Sequence, residues 1–323
     1  MSAISSGPAT GRPGAGAFAQ MVKLWAPRVE QALLDLLPAR TVAPATLHEA
    51  MHYALFPGGK RLRPMLVLLG TLAVGGDAGR ALRAAAALEC LHTYSLVHDD
   101  LPCMDDDDLR RGRPTCHKVY GEAMALLAGD ALLTLALEGA ASAGAPAVVE
   151  LARAAGSLGM VGGQVEDLAA EGDPAHHTLQ RVQWIHDHKT GALITASLLV
   201  GAHAAAAPGQ AVPSGLLDLL RAYGDQLGRA FQIADDCLDL TGSAAELGKN
   251  PLADVALGKL TWPAMVGLET SLATARQLAE SAAALAPAIA AAVAAWGRVP
   301  VATLDAAVLV LQDVAFYAVE RRN

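Results

Sequence analysis

From Phe18 onward, apolar residues recur at three- and four-residue spacing along almost the whole chain. That spacing stacks them on one face of a helix, and it predicts helices over Met21–Leu37, Thr46–Phe56, Leu62–Val74, Gly79–Asp100, Glu122–Ala140 and Ala147–Ala170. Further runs cover Thr178–Ala207, Ser214–Thr241, Lys259–Leu268, Ser271–Ala294 and Val301–Val319. The breaks carry turn chemistry: Pro57-Gly58-Gly59, Gly75-Gly76, Arg111-Gly112-Arg113-Pro114, Asp173-Pro174, and Gly248 to Pro251. No run alternates long enough to predict a sheet, and no repeat or Pro/Gly-rich linker divides the chain. The expectation is a single all-α domain over 18–323, a large helical bundle, preceded by a disordered tail over 1–17.

Composition agrees. Of 323 residues, 53% are hydrophobic, 17% charged and only 4% aromatic. That is apolar enough to fill a core and excludes intrinsic disorder, while abundant Ala and Leu favour helix over sheet. The net charge of −8 argues against nucleic acid as a partner. Cys90, Cys103, Cys116 and Cys237 are too scattered for a disulfide framework, so a cytoplasmic location is expected. The uncharged stretches Thr190–Leu217 and Ser281–Gly297 are interrupted by Pro and Gly or dominated by Ala, and they read as buried helices rather than membrane spans.

Candidate chemistry lies in two acidic clusters set in apolar helices. Six aspartates, Asp99, Asp100 and Asp105 to Asp108, crowd the C-terminal end of a long apolar helix, where the helix dipole is already negative. Asp235 and Asp239, four apart on one helix face with Asp236 beside them, lie among Phe231, Ile233, Leu238 and Leu240. Clusters built mainly of carboxylates, each with a lone cysteine (Cys103, Cys237) but no CxxC pair and no paired histidines, point to Mg²⁺. Because Mg²⁺ is usually shared between carboxylates and substrate phosphates, a diphosphate substrate is expected. Cations to grip it stand at Gly59-Lys60-Arg61-Leu62-Arg63, Arg110-Arg111, Lys189, Lys249 and Lys259. The P-loop pattern is missing, which leaves nucleotide phosphotransfer unsupported.

GGKRLRP, the aspartate motif followed by RRG, the KTG segment and FQIADDCLD occur together in the order found in the trans-polyprenyl diphosphate synthases, and the chain resembles that family over about Met51 to Lys259. The form DDLPCMDDDDLRRG is similar to that of bacterial farnesyl and plant-type geranylgeranyl diphosphate synthases. The resemblance implies an isoprenoid-synthase fold, a homodimer, and head-to-tail condensation of isopentenyl diphosphate with an allylic diphosphate through Mg²⁺-assisted ionisation. It implies that Asp99, Asp100, Asp105, Asp235, Asp236 and Asp239 hold three Mg²⁺ ions, with Gln164 and Asp167 near them. Asp99 and Asp105 are too far apart for one helical face, so Pro102 is expected to break the helix between them.

By the same resemblance Arg110, Lys189 and Lys259 hold the allylic diphosphate, with Lys249 a further cation. Gly59, Lys60, Arg63, His92 and Arg111 hold isopentenyl diphosphate, and Thr190 and Gln232 stabilise the reacting centre. Tyr94 and Ser95 set chain length: an aromatic ring five residues before Asp99 floors the product pocket and implies farnesyl diphosphate rather than geranylgeranyl or geranyl diphosphate. A terpene cyclase would not need the GGKRLRP cations, a non-catalytic subunit would have lost some of these residues, and a calcium buffer would show an EF-hand loop.

Overall fold

The computed structural model describes residues 12, 14–56, 58–171, 173–207, 209–241, 259–297, 299–300 and 303–320. Lys249, the turn from Gly248 to Pro251 and the basic C-terminal pair Arg321-Arg322 lie outside the described residues. What is described is one array of helices with a single short hairpin, close to what the periodicity predicts. Its first half comprises α1 (Ala17–Leu36), α2 (Ala45–Leu55), α3 (Leu62–Ala73), α4 (Leu82–Asp99), α5 (Cys116–Tyr120), α6 (Glu122–Ala140), α7 (Ala145–Ala155) and α8 (Met160–Glu171). There follow α9 (Leu179–Ile185), α10 (Ala192–Ala205), α11 (Ser214–Thr241), α12 (Trp262–Val266), α13 (Leu268–Ala295) and α14 (Asp305–Glu320).

The pattern of burial explains the array. On α1 the buried positions Met21, Trp25, Val29, Leu33 and Leu36 follow helical spacing, so one stripe faces inward. By contrast α10 is buried nearly all round and forms the centre. It lies against α3 backbone to backbone: a Cβ on Gly70 would come within 2.2 Å of the Leu198 carbonyl oxygen, and one on Gly201 within 2.0 Å of that of Val67. Side chains there would force the helices apart.

Four expectations need correction. The run Ala147–Ala170 is two helices, α7 and α8, because Gly156 and Gly159 interrupt the ladder. The run Thr178–Ala207 is α9 and α10 joined by a π-helical turn, His186–Gly191. The run Lys259–Leu268 begins as a loop and is helical only over Trp262–Val266, while the expected break before the next helix falls at Gly267, φ 81°. Finally, a two-stranded antiparallel hairpin exists, β1 (Leu109–Arg110) and β2 (Arg113–Pro114). Its two-residue turn has φ 54° at Arg111 and 72° at Gly112, the mirror-image turn that matches strand twist.

At the chain's beginning, Arg12 pairs with Asp313 (3.0 Å) and Glu320 (3.1 Å) of α14, and Asp313 also accepts the Phe18 amide (2.9 Å). Contacts to the bundle therefore start before residue 18, because a C-terminal carboxylate serves the first turn of α1.

Candidate active site

One cavity of about 440 Å³ gathers residues from α4, the hairpin, α8, the π turn, α11 and the loop before α12. It is lined by Asp99, Asp105, Asp167, Asp235, Asp236, Asp239, Lys189, Thr190, Gln232, His92, Arg110, Arg111 and Lys259. Thirteen of the residues expected from the sequence thus share one chamber. With Asp107 included, the lining carries seven carboxylates (99, 105, 107, 167, 235, 236, 239) against four fixed cations (110, 111, 189, 259). The excess of three negative charges calls for added cation.

The first acidic cluster is assembled as Pro102 predicts. Helix α4 ends at Asp99, and the chain then coils so that the Asp105 amide donates to the Asp99 carbonyl at 2.9 Å. This brings two residues six apart to the same wall. Burial, then Asp105, push the Asp99 carboxyl up to about 6, against the pull of Lys189. Asp100 does not join them. Its carboxylate is buried and accepts from Arg110 Nε (2.9 Å) and Nη2 (2.5 Å), so it holds a cation in place rather than facing the chamber.

In the second cluster Asp235, Asp236 and Asp239 all line the chamber, and Asp236 is also held by three neighbours. It accepts from the Trp262 amide (2.8 Å) and Gln232 Nε2 (3.2 Å), and His186 Nε2 stands 3.1 Å away. Thr190 in turn donates to Gln232 Oε1 at 2.8 Å. Sequence reasoning passed over His186, whose signal was its place three residues before Lys189 in a segment already singled out. It also passed over Glu171, which stands 3.6 Å from Lys259 Nζ, itself 3.4 Å from Asp105. Lys189 reaches Asp167 at 2.6 Å.

Cations gather around His92. His92 is held well below its ordinary value, first by burial and then by Arg63, Arg111 and Arg110, so its imidazole stays neutral. Burial also pushes Arg63 down to about 10, and its Nε has no partner among the described residues. Arg111 donates to the Gly58 carbonyl and lies over Gly59, where a Cβ would come within 2.5 Å of the guanidinium. Arg61 belongs elsewhere: it is buried and paired with Glu30 (2.7 Å) and Glu89 (2.8 Å).

Several expected residues do not line the chamber: Gly59, Lys60, Arg63, Tyr94, Ser95, Asp100 and Gln164. Tyr94 is buried one turn below, with the His98 ring edge-on at 5.5 Å, and the Ser95 hydroxyl donates to the His92 carbonyl at 2.8 Å. Gln164 is notable because both its amide atoms are buried and unpartnered among the described residues. Such atoms ordinarily find water or an ion.

The donor set fits a hard divalent cation. Among the described residues no three His, Cys, Asp or Glu side chains converge as a closed cage. Facing carboxylates at a distance suit an ion that retains water and takes part of its shell from a phosphate.

The family model for polyprenyl synthetase matches residues 44–295. The chain is 48% identical over 250 residues to a chloroplastic geranylgeranyl pyrophosphate synthase of Arabidopsis thaliana, covering 74% of this chain and 69% of that one. It is 45% identical over 274 residues to the farnesyl diphosphate synthase of Escherichia coli, covering 82% and 90%. Among solved structures, a geranyltransferase from Helicobacter pylori complexed with magnesium and isoprenyl diphosphate superposes with a TM-score of 0.71 at 32% identity, over 86% of this chain and 92% of that one.

Proposed function

The chain belongs to the polyprenyl synthetase family, and on that premise we propose that it condenses isopentenyl diphosphate with dimethylallyl or geranyl diphosphate to give farnesyl diphosphate. The observation that carries this reading is the chamber that brings both acidic clusters together with Arg110, Arg111 and a neutral histidine. One diphosphate would need only the acidic side; the second, cationic side suits a second diphosphate without metal.

Asp99, Asp105, Asp235 and Asp239 would hold Mg²⁺, with Gln164 and Asp167 beside it. Bound there, the metal supplies charge neutralisation for the leaving diphosphate. Lys189, Lys259 and Arg110 would bind the allylic diphosphate and draw off charge as its C–O bond ionises. Arg111, Arg63, Lys60 and His92 would orient isopentenyl diphosphate, whose double bond attacks the allylic cation. His92, being neutral, would donate a hydrogen bond without adding positive charge. The Thr190–Gln232 pair, which lines the chamber, would offer oxygen lone pairs to developing positive charge. The proton lost afterwards goes to departing pyrophosphate. Asp100 and Asp236 act through the groups they hold, Arg110 and His186.

Tyr94 supports the farnesyl product: its ring is buried below Asp99 and braced by His98, whose Nε2 donates to the Leu126 carbonyl at 3.0 Å. Likeness to the chloroplastic geranylgeranyl enzyme is the ground for a second reading, a C20 product. We also take the enzyme to be cytoplasmic, which accords with four free thiols. The test is a product assay with purified protein, Mg²⁺, isopentenyl diphosphate and each allylic primer. A C15 product that lengthens in Tyr94→Ala is expected. A C20 product from the unaltered protein overturns the farnesyl assignment, and no condensation with any primer overturns the reaction itself.

A further inference from the structure

The π turn His186–Gly191 is a wall between two cavities. His186, Lys189 and Thr190 face the chamber described above, while Asp187, His188 and Gly191 face a second cavity of about 440 Å³. A π turn carries one residue more than an α turn and poorer hydrogen-bond geometry, so it persists only where its surroundings fix it. The fixing element is α11. Its residues 225, 229, 232 and 236 are spaced four, three and four apart and form one polar stripe. Each meets the π turn or the helix after it: Asp225 with Thr195 (2.8 Å), Arg229 with Asp187 (2.9 and 2.8 Å), Gln232 with Thr190, and Asp236 with His186. Small residues allow the close approach. A Cβ on Gly228 would come within 2.8 Å of the Gly191 Cα, and one on Gly163 within 2.2 Å of the Lys189 amide nitrogen.

Two of these rungs lie in the chamber. The Arg229–Asp187 rung lies behind it, half-buried, and is bidentate, so it fixes orientation as well as distance. We propose that Arg229, through Asp187, is a positioning residue that sets the rotation of the π turn and so aims Lys189 and Thr190 at the reacting diphosphate. The inference rests on the function proposed above, since it needs Lys189 and Thr190 to act in that reaction.

The test is steady-state condensation by Arg229→Met, Asp187→Asn and the exchanged pair Asp187→Arg with Arg229→Asp, each with its melting temperature. Displacing catalytic groups by a fraction of a residue rotation lowers kcat by about tenfold to a hundredfold. The KM for isopentenyl diphosphate should stay near its original value, because its groups lie on α3 and the loop before it, on α4 and on the hairpin. The exchanged pair should recover most of the loss. Arg221→Met is the control: Arg221 lines the same second cavity but pairs with Glu150 (3.3 Å) and leaves the π turn untouched, so its rate should be unchanged. An Arg229→Met enzyme with unaltered kcat, or one that loses no more than Arg221→Met, overturns the proposal. So does a loss that the exchanged pair, folded to the same melting temperature, fails to recover. Absence of condensation by the unaltered protein overturns the proposed function and the positioning role with it.

Discussion

Burial and the neighbouring Asp105 push the Asp99 carboxyl up to about 6, and Lys189 offsets this only in part. A carboxyl raised above its unfolded value of about 3.9 stabilises the folded state fully below that value and loses the contribution as pH rises through about 6. At neutral pH the metal-free protein therefore carries an ionised group that strains it. Asp99→Asn should raise the melting temperature of the metal-free protein at pH 7.5 while lowering condensation by about a hundredfold or more. Below pH 6 a cation must displace a proton from Asp99, so Mg²⁺ affinity should fall roughly tenfold per pH unit there. Calorimetric titration with MgCl₂ at pH 7.5 and 5.5, in buffers of different ionisation heat, measures both affinity and proton release. Equal affinities at the two values, with no proton released, would show that no raised Asp99 carboxyl is displaced by the metal.

The hairpin between β1 and β2 aims two guanidinium groups at once, Arg110 toward Asp100 and Asp107 and Arg111 toward the Gly58 carbonyl. Nothing lies within 4 Å of a Cβ added at Gly112, so Gly112→Ala acts through backbone alone at φ 72° and should cost about 1 kcal/mol. Asp100→Ala removes the buried partner of Arg110 and should raise the KM for the allylic diphosphate several-fold with a smaller change for isopentenyl diphosphate. Equal effects on both substrates would show that Arg110 does not discriminate between them.

Which parts of this were legible follows from the range of the forces involved. The helices α1, α6 and α11 were readable because burial repeats with the helix period. The coil after Pro102 was readable because proline removes a donor locally. The hairpin was hidden: two-residue strands leave no alternation to detect, and Arg111 takes a positive φ that its side chain does not advertise. The π turn was hidden because α9, the turn and α10 share one continuous apolar period, and the turn depends on α11, some forty residues away in sequence. For the same reason Asp100 and Asp236 looked like ligands. Only tertiary partners, Arg110 in one case and His186 with the Trp262 amide in the other, mark these two carboxylates as anchors for their neighbours.

The outer face of the array leaves a different question of partners. Leu126 and Leu127 on α6, Val149 on α7, Leu158 between α7 and α8, Val161 and Val165 on α8, and Trp184 on α9 are all exposed, Leu158 at 87%. These elements follow one another in the chain, and each helix packs on the next. Exposed apolar groups on adjoining elements are the ground for proposing an interaction surface there. Lipid is one conceivable cover, since α6 with its continuation to Ala143, like α13, is long and apolar enough to cross a membrane by length and composition. The outer side of α6 argues otherwise, for it also presents Asp130 and Glu138 with side chains 58% and 65% exposed. Carboxylates among leucines suit a protein interface, where a polar rim surrounds an apolar centre, and suit hydrocarbon poorly. A second copy of the chain is the proposed cover. Without detergent the protein should sediment at twice its 33.1 kDa mass. Leu127→Glu combined with Val165→Glu should yield monomer with helical content intact, as ultracentrifugation and far-UV dichroism would measure. Because α6 also carries the Leu126 carbonyl that braces His98 against Tyr94, the monomer should retain condensation but spread its products toward longer chains. A monomer with an unchanged product profile would separate the outer surface of α6 from the pocket beneath it.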